Sequence, residues 1–363
     1  MPRSINFESI ENFRDLGGYE CRYGETRFGV LYRSATLCEA SPSDLEKIKD
    51  LGIKTVIDLR EEATKASKPD ATRAIEGIAH IELPVNGNGR ICHEYDDYVY
   101  SYIEMLEDPY TARAIFKAIL HAEKPAVIHC NAGKDRTGAF TMVILLLNGV
   151  SFVDINADYM ASFPYLEKMT QVTRQFHKEV PELLLTPSIE FMRDVYAKFI
   201  EQYGDAASYC EAIGLSEDEV NALSSLLGKQ EKSCGAAVFY HGKVMIEHMQ
   251  LGHYSIPKGH VEESDEDEQA TARREILEET GLNVKFHEGF TMATDYSPCD
   301  GVLKRVVWFA AVAESDQAIP DNTEVQGIYW VSPADAMRVL SHDDDRQVVA
   351  KASYFEAEHH FDY

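Results

Sequence analysis

In the first two thirds of the chain, segments with the apolar pattern of buried strands alternate with segments that have helical spacing. Short runs rich in β-branched residues are typical of buried strands, and they occur at 54–60, 78–83 and 126–130. Helical spacing and capping residues predict helices at 41–52, 110–122 and 136–150. Strands that alternate with helices predict an α/β domain, with a central sheet flanked by helices.

The pattern changes near residue 229. A segment at 209–233 predicts an amphipathic helix that is capped at Ser216 and ends at Gly228. The sequence CGAAVFYHGKVMIEH follows, in which a His-Gly turn separates two strand-like runs. The length of 363 residues also favours two cores over one. We therefore predict two domains, at 1–229 and 230–363.

Charge and composition exclude several classes of protein. The net charge is −26, and both parts are acidic, with −12 before residue 233 and −14 from there on. Neither part has the basic surface of a nucleic-acid-binding protein. No apolar run is long enough for a transmembrane helix, and the N-terminal residues lack the apolar centre of a signal peptide. Seven scattered cysteines indicate reduced thiols, so we expect a cytoplasmic protein without membrane insertion. The oligomeric state cannot be inferred from these features.

The stretch HCNAGKDRTG follows the strand at 126–130 and opens the helix at 136–150. A loop between a strand and a helix can turn its N–H groups toward an anion, and the positive end of the helix adds to the attraction. The same environment stabilises a thiolate at Cys130. Arg136 can bind two phosphate oxygens at once, and Thr137 can donate its hydroxyl to the sulfur. The predicted chemistry is phosphoryl transfer to Cys130 followed by hydrolysis of the phosphocysteine. The predicted phosphate-binding residues are His129, Asn131, Ala132, Gly133, Lys134 and Gly138.

This stretch resembles the signature loop of the protein tyrosine phosphatases. The segments NFRDLGGY, LYRSA and VIDLR resemble the bacterial tyrosine-phosphatase-like family, which includes dual-specificity and phosphoinositide phosphatases. The resemblance implies Cys130 as nucleophile, Arg136 as phosphate ligand, His129 as support for the loop and no cofactor. It implies that the substrate is a phosphorylated protein or a phosphoinositide. The extra lysine of the loop, Lys134, suits a polyanionic substrate such as a phosphoinositide. Asp135 and Asp58 are both candidates for the general acid, although Asp58 is equally well explained as a structural partner of a nearby arginine.

A second motif lies at 256–282. Glu275, Glu278 and Glu279 have the spacing i, i+3 and i+4, so their carboxylates share one face of a helix. A divalent cation would neutralise their repulsion, and ligands that are all oxygen favour Mg²⁺ or Mn²⁺. A solvated acidic face is the structural alternative.

This second motif resembles the Nudix box, with Gly259 before the helix and Gly281 after it. Six residues rather than five separate Gly259 from the expected glutamate, Glu266, and Asp265 and Glu268 are its possible substitutes. The surrounding sequence resembles the diadenosine polyphosphate hydrolases. The resemblance implies an α/β/α sandwich that cleaves a nucleoside polyphosphate, with further site residues. These are Gly259 at the metal, Glu324 as a further metal ligand or base, Lys258 and Lys304 at phosphates, and Tyr296 either stacked on a base or packed in the core.

The two motifs together predict a bifunctional hydrolase of phosphomonoesters and phosphoanhydrides. One alternative is a phosphatase regulated by a Nudix domain that binds a nucleotide or an inositol polyphosphate without cleaving it. Another is that both sites act on inositol pyrophosphates.

Overall fold

The computed structural model describes residues 2–85, 91–186 and 188–359. Internal contacts divide the chain into two compact units. Met1–Lys229 and Ser297–Leu303 form the first unit, and Gln230–Tyr296 and Lys304–Tyr363 form the second. No helix in the described ranges is both long and apolar enough to span a bilayer.

The first unit is built on a five-stranded sheet. Its order is β1-β4-β7-β5-β6, and the pairs that involve β5 and β7 are parallel, whereas β1 runs antiparallel to β4. The strands of this unit are β1 (Arg14–Asp15), β2 (Glu20–Cys21), β3 (Gly24–Glu25), β4 (Leu31–Ser34), β5 (Thr55–Asp58), β6 (Ala79–Glu82) and β7 (Ala126–His129). All three strands predicted for this unit are confirmed as β5, β6 and β7.

Helices cover both faces of this sheet. They are α1 (Pro42–Asp50), α2 (Glu62–Ser67), α3 (Tyr95–Glu107), α4 (Pro109–His121), α5 (Asp135–Leu147), α6 (Phe152–Tyr165), α7 (Glu167–Phe176), α8 (Glu182–Leu185), α9 (Phe191–Tyr203), α10 (Ala206–Ala212) and α11 (Glu217–Ser224), with a 3₁₀ turn at Ala71–Ala74. Side chains alternate along β5, so Val56 packs with Ile48 of α1 whereas Ile57 faces the larger core around α5. Helix α5 is buried almost all round, and its amino end therefore has a fixed position at the end of β7.

The second unit contains a seven-stranded sheet with a helix layer on each face. Its strands are β8 (Lys229–Tyr240), β9 (Lys243–Met249), β10 (Tyr254–Ser255), β11 (Lys258–His260), β12 (Val284–Cys299), β13 (Val302–Ala313) and β14 (Val325–Val331). In this sheet, β9 runs antiparallel to β8, β10 and β14. Its helices are α12 (Glu268–Thr280), α13 (Pro333–Val339) and α14 (Asp343–His359). Ile276 of α12 packs on one face of the sheet, and Val348 and Val349 of α14 pack on the other. The predicted α/β/α sandwich is confirmed, as is the hairpin turn at His241 and Gly242, which both have positive φ.

Candidate active sites

The loop from Cys130 to Lys134 connects β7 to α5 in the first unit, and its carbonyl groups are held from outside. The Thr36 backbone N–H donates to the carbonyl of Asn131 at 2.9 Å. The side-chain amide of Asn12 donates to Ala132 at 2.8 Å. Arg33 donates through Nη2 to the carbonyl of Gly133 at 2.7 Å. These bonds fix the orientation of successive peptide groups in the loop.

The N–H groups of the same loop are left free. Within the described ranges, none of the backbone N–H groups of residues 131–134 donates a hydrogen bond. Asp135 and Arg136 begin α5, where the first N–H groups of a helix have no partner within the helix. Cys130 lies at the start of this arc and is 3% exposed. Free amides at a helix N-terminus can bind an anion.

Gly133 is required by the way the loop packs on β4. Its φ is +64°, and a Cβ at this position would lie 2.1 Å from the carbonyl oxygen of Ser34. That oxygen belongs to a strand in the middle of the sheet and cannot retreat without breaking the pairing of β4 with β7. Gly138 differs, because it lies within α5 and a Cβ there would approach nothing closer than 3.5 Å.

An arginine pair supports the loop from behind. Asp158 of α6 accepts from Arg14 at 2.7 Å and from Arg33 at 2.5 Å, and all three side chains are buried. Burial raises the pKa of Asp158, but the charges of Arg14 and Arg33 outweigh burial and lower it overall. Arg33 therefore reaches the loop carbonyls while it shares the Asp158 carboxylate with Arg14. Sequence reasoning missed Asp158, which has no motif around it.

His129 is fixed by carboxylates from two other segments. Its Nε2 lies 2.9 Å from Asp70, and Arg60 bonds to Asp70 at 2.8 Å and to Asp58 through both Nε and Nη2. By distance alone, Asp58, Asp70 and His129 could share a metal ion. The Arg60 guanidinium already supplies the positive charge to both carboxylates. This cluster anchors the start of the signature loop.

The two candidates for the general acid have different surroundings. Both carboxylate oxygens of Asp58 are bonded to Arg60, and the side chain is 4% exposed. Asp135 is half-buried and its Oδ1 accepts from the hydroxyls of Tyr98 at 2.6 Å and Tyr102 at 2.7 Å. Both tyrosines come from α3, and burial together with the Asp135 charge raises the pKa of each. Sequence reasoning did not identify these two tyrosines.

The remaining predicted residues of this loop have distinct positions. Arg136 is half-buried, contacts the Leu59 carbonyl at 3.5 Å and forms no ion pair with any described residue. The Thr137 hydroxyl is buried, and the described part of the chain gives it no hydrogen-bond partner. The Lys134 ammonium donates to the Leu184 carbonyl of α8 and lies 3.6 Å from Oδ1 of Asp135. Arg136 and Thr137 are thus available to a bound anion, whereas Lys134 is engaged elsewhere.

In the second unit, the acidic residues of α12 occupy two environments. The Glu275 carboxylate lies directly against Gly259, where a Cβ would be 1.9 Å from its carboxyl carbon. Glu279 is buried, and its Oε2 has no hydrogen-bond partner among the described residues. Glu278 is 60% exposed and pairs with Arg274 at 3.1 Å. Among the described residues, no three of these carboxylates bring their oxygens within 4.8 Å of one another. The orphaned oxygen of Glu279 and the all-oxygen character of the donors fit a hard divalent cation.

Arg274 shows how the extra residue of the motif is accommodated. It bonds to both carboxylate oxygens of Asp265, at 3.1 and 3.0 Å, and Thr271 donates to Asp265 at 2.9 Å. Five residues separate Gly259 from Asp265, so Asp265 stands at the spacing expected for the first box glutamate. The extra residue therefore lies after Asp265, and Glu266 takes no part in this anchor.

The other predicted residues of this site have different surroundings. Lys258 donates to Ser255 and lies 5.7 Å from the centre of the Trp308 ring. Burial and the Lys258 charge lower the pKa of Lys304, although Glu275 and Glu324 oppose this. Burial and the charges of Asp345 and Asp344 raise the pKa of Tyr296 to about 12. Tyr296 also packs against the core of this unit.

Comparison with known proteins accounts for both units. The profile described as the tyrosine phosphatase family matches residues 5–229. The chain belongs to the tyrosine phosphatase family. A NUDIX domain profile matches residues 237–352, so the chain joins a tyrosine phosphatase domain to a NUDIX domain.

Relatives of each domain are known separately. A Cupriavidus necator protein whose name places it with the tyrosine-protein phosphatases is 30% identical over 207 residues, which are 51% of this chain and 73% of that protein. The pig bis(5'-nucleosyl)-tetraphosphatase [asymmetrical] is 29% identical over 108 residues, 29% of this chain and 73% of the relative. A Caenorhabditis elegans Ap4A hydrolase structure is 25% identical and covers 35% of this chain and 98% of its own, with a TM-score of 0.33. The protein is therefore a hydrolase with a tyrosine-phosphatase-family domain and a NUDIX domain, and NUDIX domains generally use a divalent metal.

Proposed function

We propose that the first domain hydrolyses phosphomonoesters through a phosphocysteine at Cys130. The observation that carries this proposal is the arc of free N–H groups at residues 131–136, which is built by outside donors to the loop carbonyls. A phosphoryl group held in this arc accepts hydrogen bonds from the amides and from Arg136. Its phosphorus then faces the sulfur that begins the loop.

The reaction divides into two displacements. The thiolate of Cys130 forms a bond to phosphorus while the bond to the ester oxygen breaks, and Asp135 gives that oxygen a proton. Water then attacks the phosphocysteine and loses a proton to Asp135, so that the sulfur leaves as a thiolate stabilised by the Thr137 hydroxyl. We assign the acid role to Asp135 because Tyr98 and Tyr102 occupy one of its oxygens and leave Oδ2 for the substrate, whereas Arg60 occupies both oxygens of Asp58.

We assign phosphotyrosine in a protein as the substrate class. The alternative is a phosphoinositide, for which Lys134 would provide a second anion contact. The ammonium of Lys134 is instead engaged by the Leu184 carbonyl and by the Asp135 carboxylate at 3.6 Å, which favours a substrate without a second phosphate.

The test is turnover of p-nitrophenyl phosphate and of a phosphotyrosine peptide by the full chain in EDTA. Cys130→Ser should lower activity about 1000-fold or more, since the step that forms the covalent intermediate is lost. Cys299→Ser is the matched control, because Cys299 is exposed and outside the loop. Equal turnover by Cys130→Ser and Cys299→Ser would disprove the proposal. Faster turnover of phosphoinositides than of phosphopeptides would change the substrate class.

We propose that the NUDIX domain cleaves a phosphoanhydride of a dinucleoside polyphosphate, such as diadenosine tetraphosphate, with Mg²⁺. The first support is the pair of carboxylates on α12: that of Glu275 lies against Gly259, and that of Glu279 is buried with a free oxygen. The second is the similarity to the pig tetraphosphatase. Glu275, Glu279, Glu278 and Glu324 would hold the ion together with the Gly259 carbonyl. When bound, a divalent ion screens phosphate charge and makes water a better nucleophile.

The chain's own residues bind and orient the substrate. Lys258 and Lys304 attract the polyphosphate, and Tyr296 offers a ring to a base. Asp265 fixes Arg274, which in turn orients Glu275 at 2.9 Å and Glu278 at 3.1 Å. Glu279, with its free oxygen, remains available to the ion.

The test is cleavage of diadenosine tetraphosphate with Mg²⁺ and with EDTA. Glu279→Gln should lower turnover by more than about 100-fold, because even residues outside the ligand sphere of a metal contribute 10- to 100-fold. Glu288→Gln is the matched control, since Glu288 is an exposed glutamate of the same domain. Cleavage that persists in EDTA would disprove the proposal. Nucleotide binding without turnover in Mg²⁺ would instead support the regulatory alternative.

A further inference from the structure

Glu247 is a buried carboxylate in β9, outside the Nudix motif. It is 1% exposed, and its Oε1 has no hydrogen-bond partner within the described ranges. No lysine, arginine or histidine of the described chain lies within ion-pair distance of Glu247 or Glu279. An unpaired buried carboxylate costs several kcal/mol, so a fold that keeps one must supply a proton or a cation.

The strand directs Glu247 toward the acidic helix. Met245, two residues earlier in β9, packs in the same core as Ala272 and Ile276 of α12. Side chains two apart on a strand share a face, so Glu247 also points to α12. Glu279 follows Ile276 by three residues and lies on the same side of the helix. Two buried carboxylates, each with an orphaned oxygen, thus approach one space from a strand and from a helix.

The electrostatics of the two groups agree with this placement. Burial raises the pKa of Glu279, and the strongest charge effect on it is repulsion from Glu247. Burial likewise raises the pKa of Glu247, the Lys258 charge partly opposes this, and Asp321, Asp345 and Glu324 raise it further. Lys258 is therefore the main positive charge among these groups, and its ammonium donates to Ser255 rather than to either glutamate.

We propose that Glu247 is a metal ligand, and that with Glu279 it binds a divalent cation on the sheet side of α12. This inference rests on the proposed metal-dependent function of the NUDIX domain and adds a ligand to it. A cation here would satisfy both orphaned oxygens and neutralise the repulsion between the two carboxylates. It would also tie β9 to α12, which holds Glu275 and Glu278.

The test measures Mn²⁺ binding to the full chain by electron paramagnetic resonance and calorimetry, without substrate. Glu247→Gln should lose one bound Mn²⁺ or weaken binding by about tenfold or more. Glu288→Gln should bind as the wild type does. Thermal melting of Glu247→Leu gives a second readout. In EDTA this variant should melt at or above the wild-type temperature, because an apolar group replaces a buried unpaired carboxylate. Mn²⁺ should raise its melting temperature less than it raises that of the wild type.

The outcomes separate this inference from the proposed function. Wild-type stoichiometry and affinity in Glu247→Gln, with binding lost in Glu279→Gln, would overturn the role of Glu247 and leave the metal centre intact. Absence of Mn²⁺ binding in the wild type would overturn both. Melting of Glu247→Leu well below the wild type in EDTA would show that Glu247 supports the fold itself, and would also overturn the inference.

Discussion

The substitution Gly133→Ala tests whether the signature loop has one permitted shape. An alanine at this position must adopt a φ of +64°, and its Cβ would lie 2.1 Å from the Ser34 carbonyl oxygen and 2.7 Å from the Ala35 nitrogen. Both neighbours are backbone atoms at the end of β4. The loop must therefore move, and the Arg33 bond to the Gly133 carbonyl at 2.7 Å must lengthen or break.

The cost follows from two contributions. The left-handed conformation costs an L-residue about 1–2 kcal/mol. Loss of a hydrogen bond to a charged group costs about 1.5–3 kcal/mol. Together they predict a destabilisation of about 2.5–5 kcal/mol, and movement of the loop should also displace the N–H groups that face the phosphate. Loss of one such preorganised donor typically costs about 100-fold in rate, so kcat/KM should fall by at least that factor.

Gly52→Ala is the control that isolates the loop. Gly52 has a φ of +68°, nearly the same as Gly133, but a Cβ there would meet nothing within 4 Å. It should therefore lose about 1–2 kcal/mol of stability and no activity. Urea denaturation and kcat/KM for p-nitrophenyl phosphate measure both quantities. If Gly133→Ala lost no more activity or stability than Gly52→Ala, the argument that loop geometry creates the anion site would be refuted.

Four further results are expected. Asp158→Asn should destabilise the phosphatase domain by about 3–5 kcal/mol, because it leaves two arginines facing each other. The folded-state pKa of Asp158 is lowered, so its stabilisation is fully present above the unfolded value near 3.9 and is lost as the pH falls toward the folded value. Urea titrations from pH 7 to pH 3 should show the onset of this loss, and the loss should be smaller in the variant, which keeps other carboxylates of lowered pKa such as Asp44 and Asp70. Gly259→Ala should displace the Glu275 carboxylate and weaken Mn²⁺ binding about tenfold, measured by calorimetry, and unchanged binding would contradict the contact. Asp135→Asn should slow hydrolysis of alkyl phosphates far more than that of p-nitrophenyl phosphate, since only the poorer leaving group needs a proton; equal slowing would remove Asp135 as the acid. Burial raises the pKa of Cys210 to about 12, so iodoacetamide at pH 7 should leave it unmodified by mass spectrometry while it labels the signature cysteine.

The local sequence was sufficient to predict those parts of the two sites that are formed by residues close together in the chain. The strand at 126–130, the helix after it and the spacing of Cys130 from Arg136 are all local, and they predicted a loop of this shape. The helical register of Glu275 and Glu279 was predicted for the same reason. Both fold assignments are confirmed by the structure and by the two family profiles.

Residues that act across the fold could not be found in this way. Asp158 follows the signature cysteine by 28 positions and reaches Arg33 across 125 residues. Tyr98 and Tyr102 stand at helical spacing in α3, a pattern that indicates core packing and carries no sign of the Asp135 contact. Glu247 interrupts an apolar strand, and this single break in the pattern was the only signal that could have marked it. A charged residue within a buried strand costs free energy, so a single charge in an otherwise apolar strand marks a candidate functional residue.

The two proposed functions give this chain two hydrolytic sites of different chemistry, one that uses a thiol and one that uses carboxylates with a bound metal. The most direct measurement compares Cys130→Ser and Glu279→Gln, each assayed for phosphopeptide dephosphorylation and for diadenosine tetraphosphate cleavage in Mg²⁺. We predict that Cys130→Ser loses only the first activity and that Glu279→Gln loses only the second. Loss of both activities in either variant, or of neither, would contradict the account.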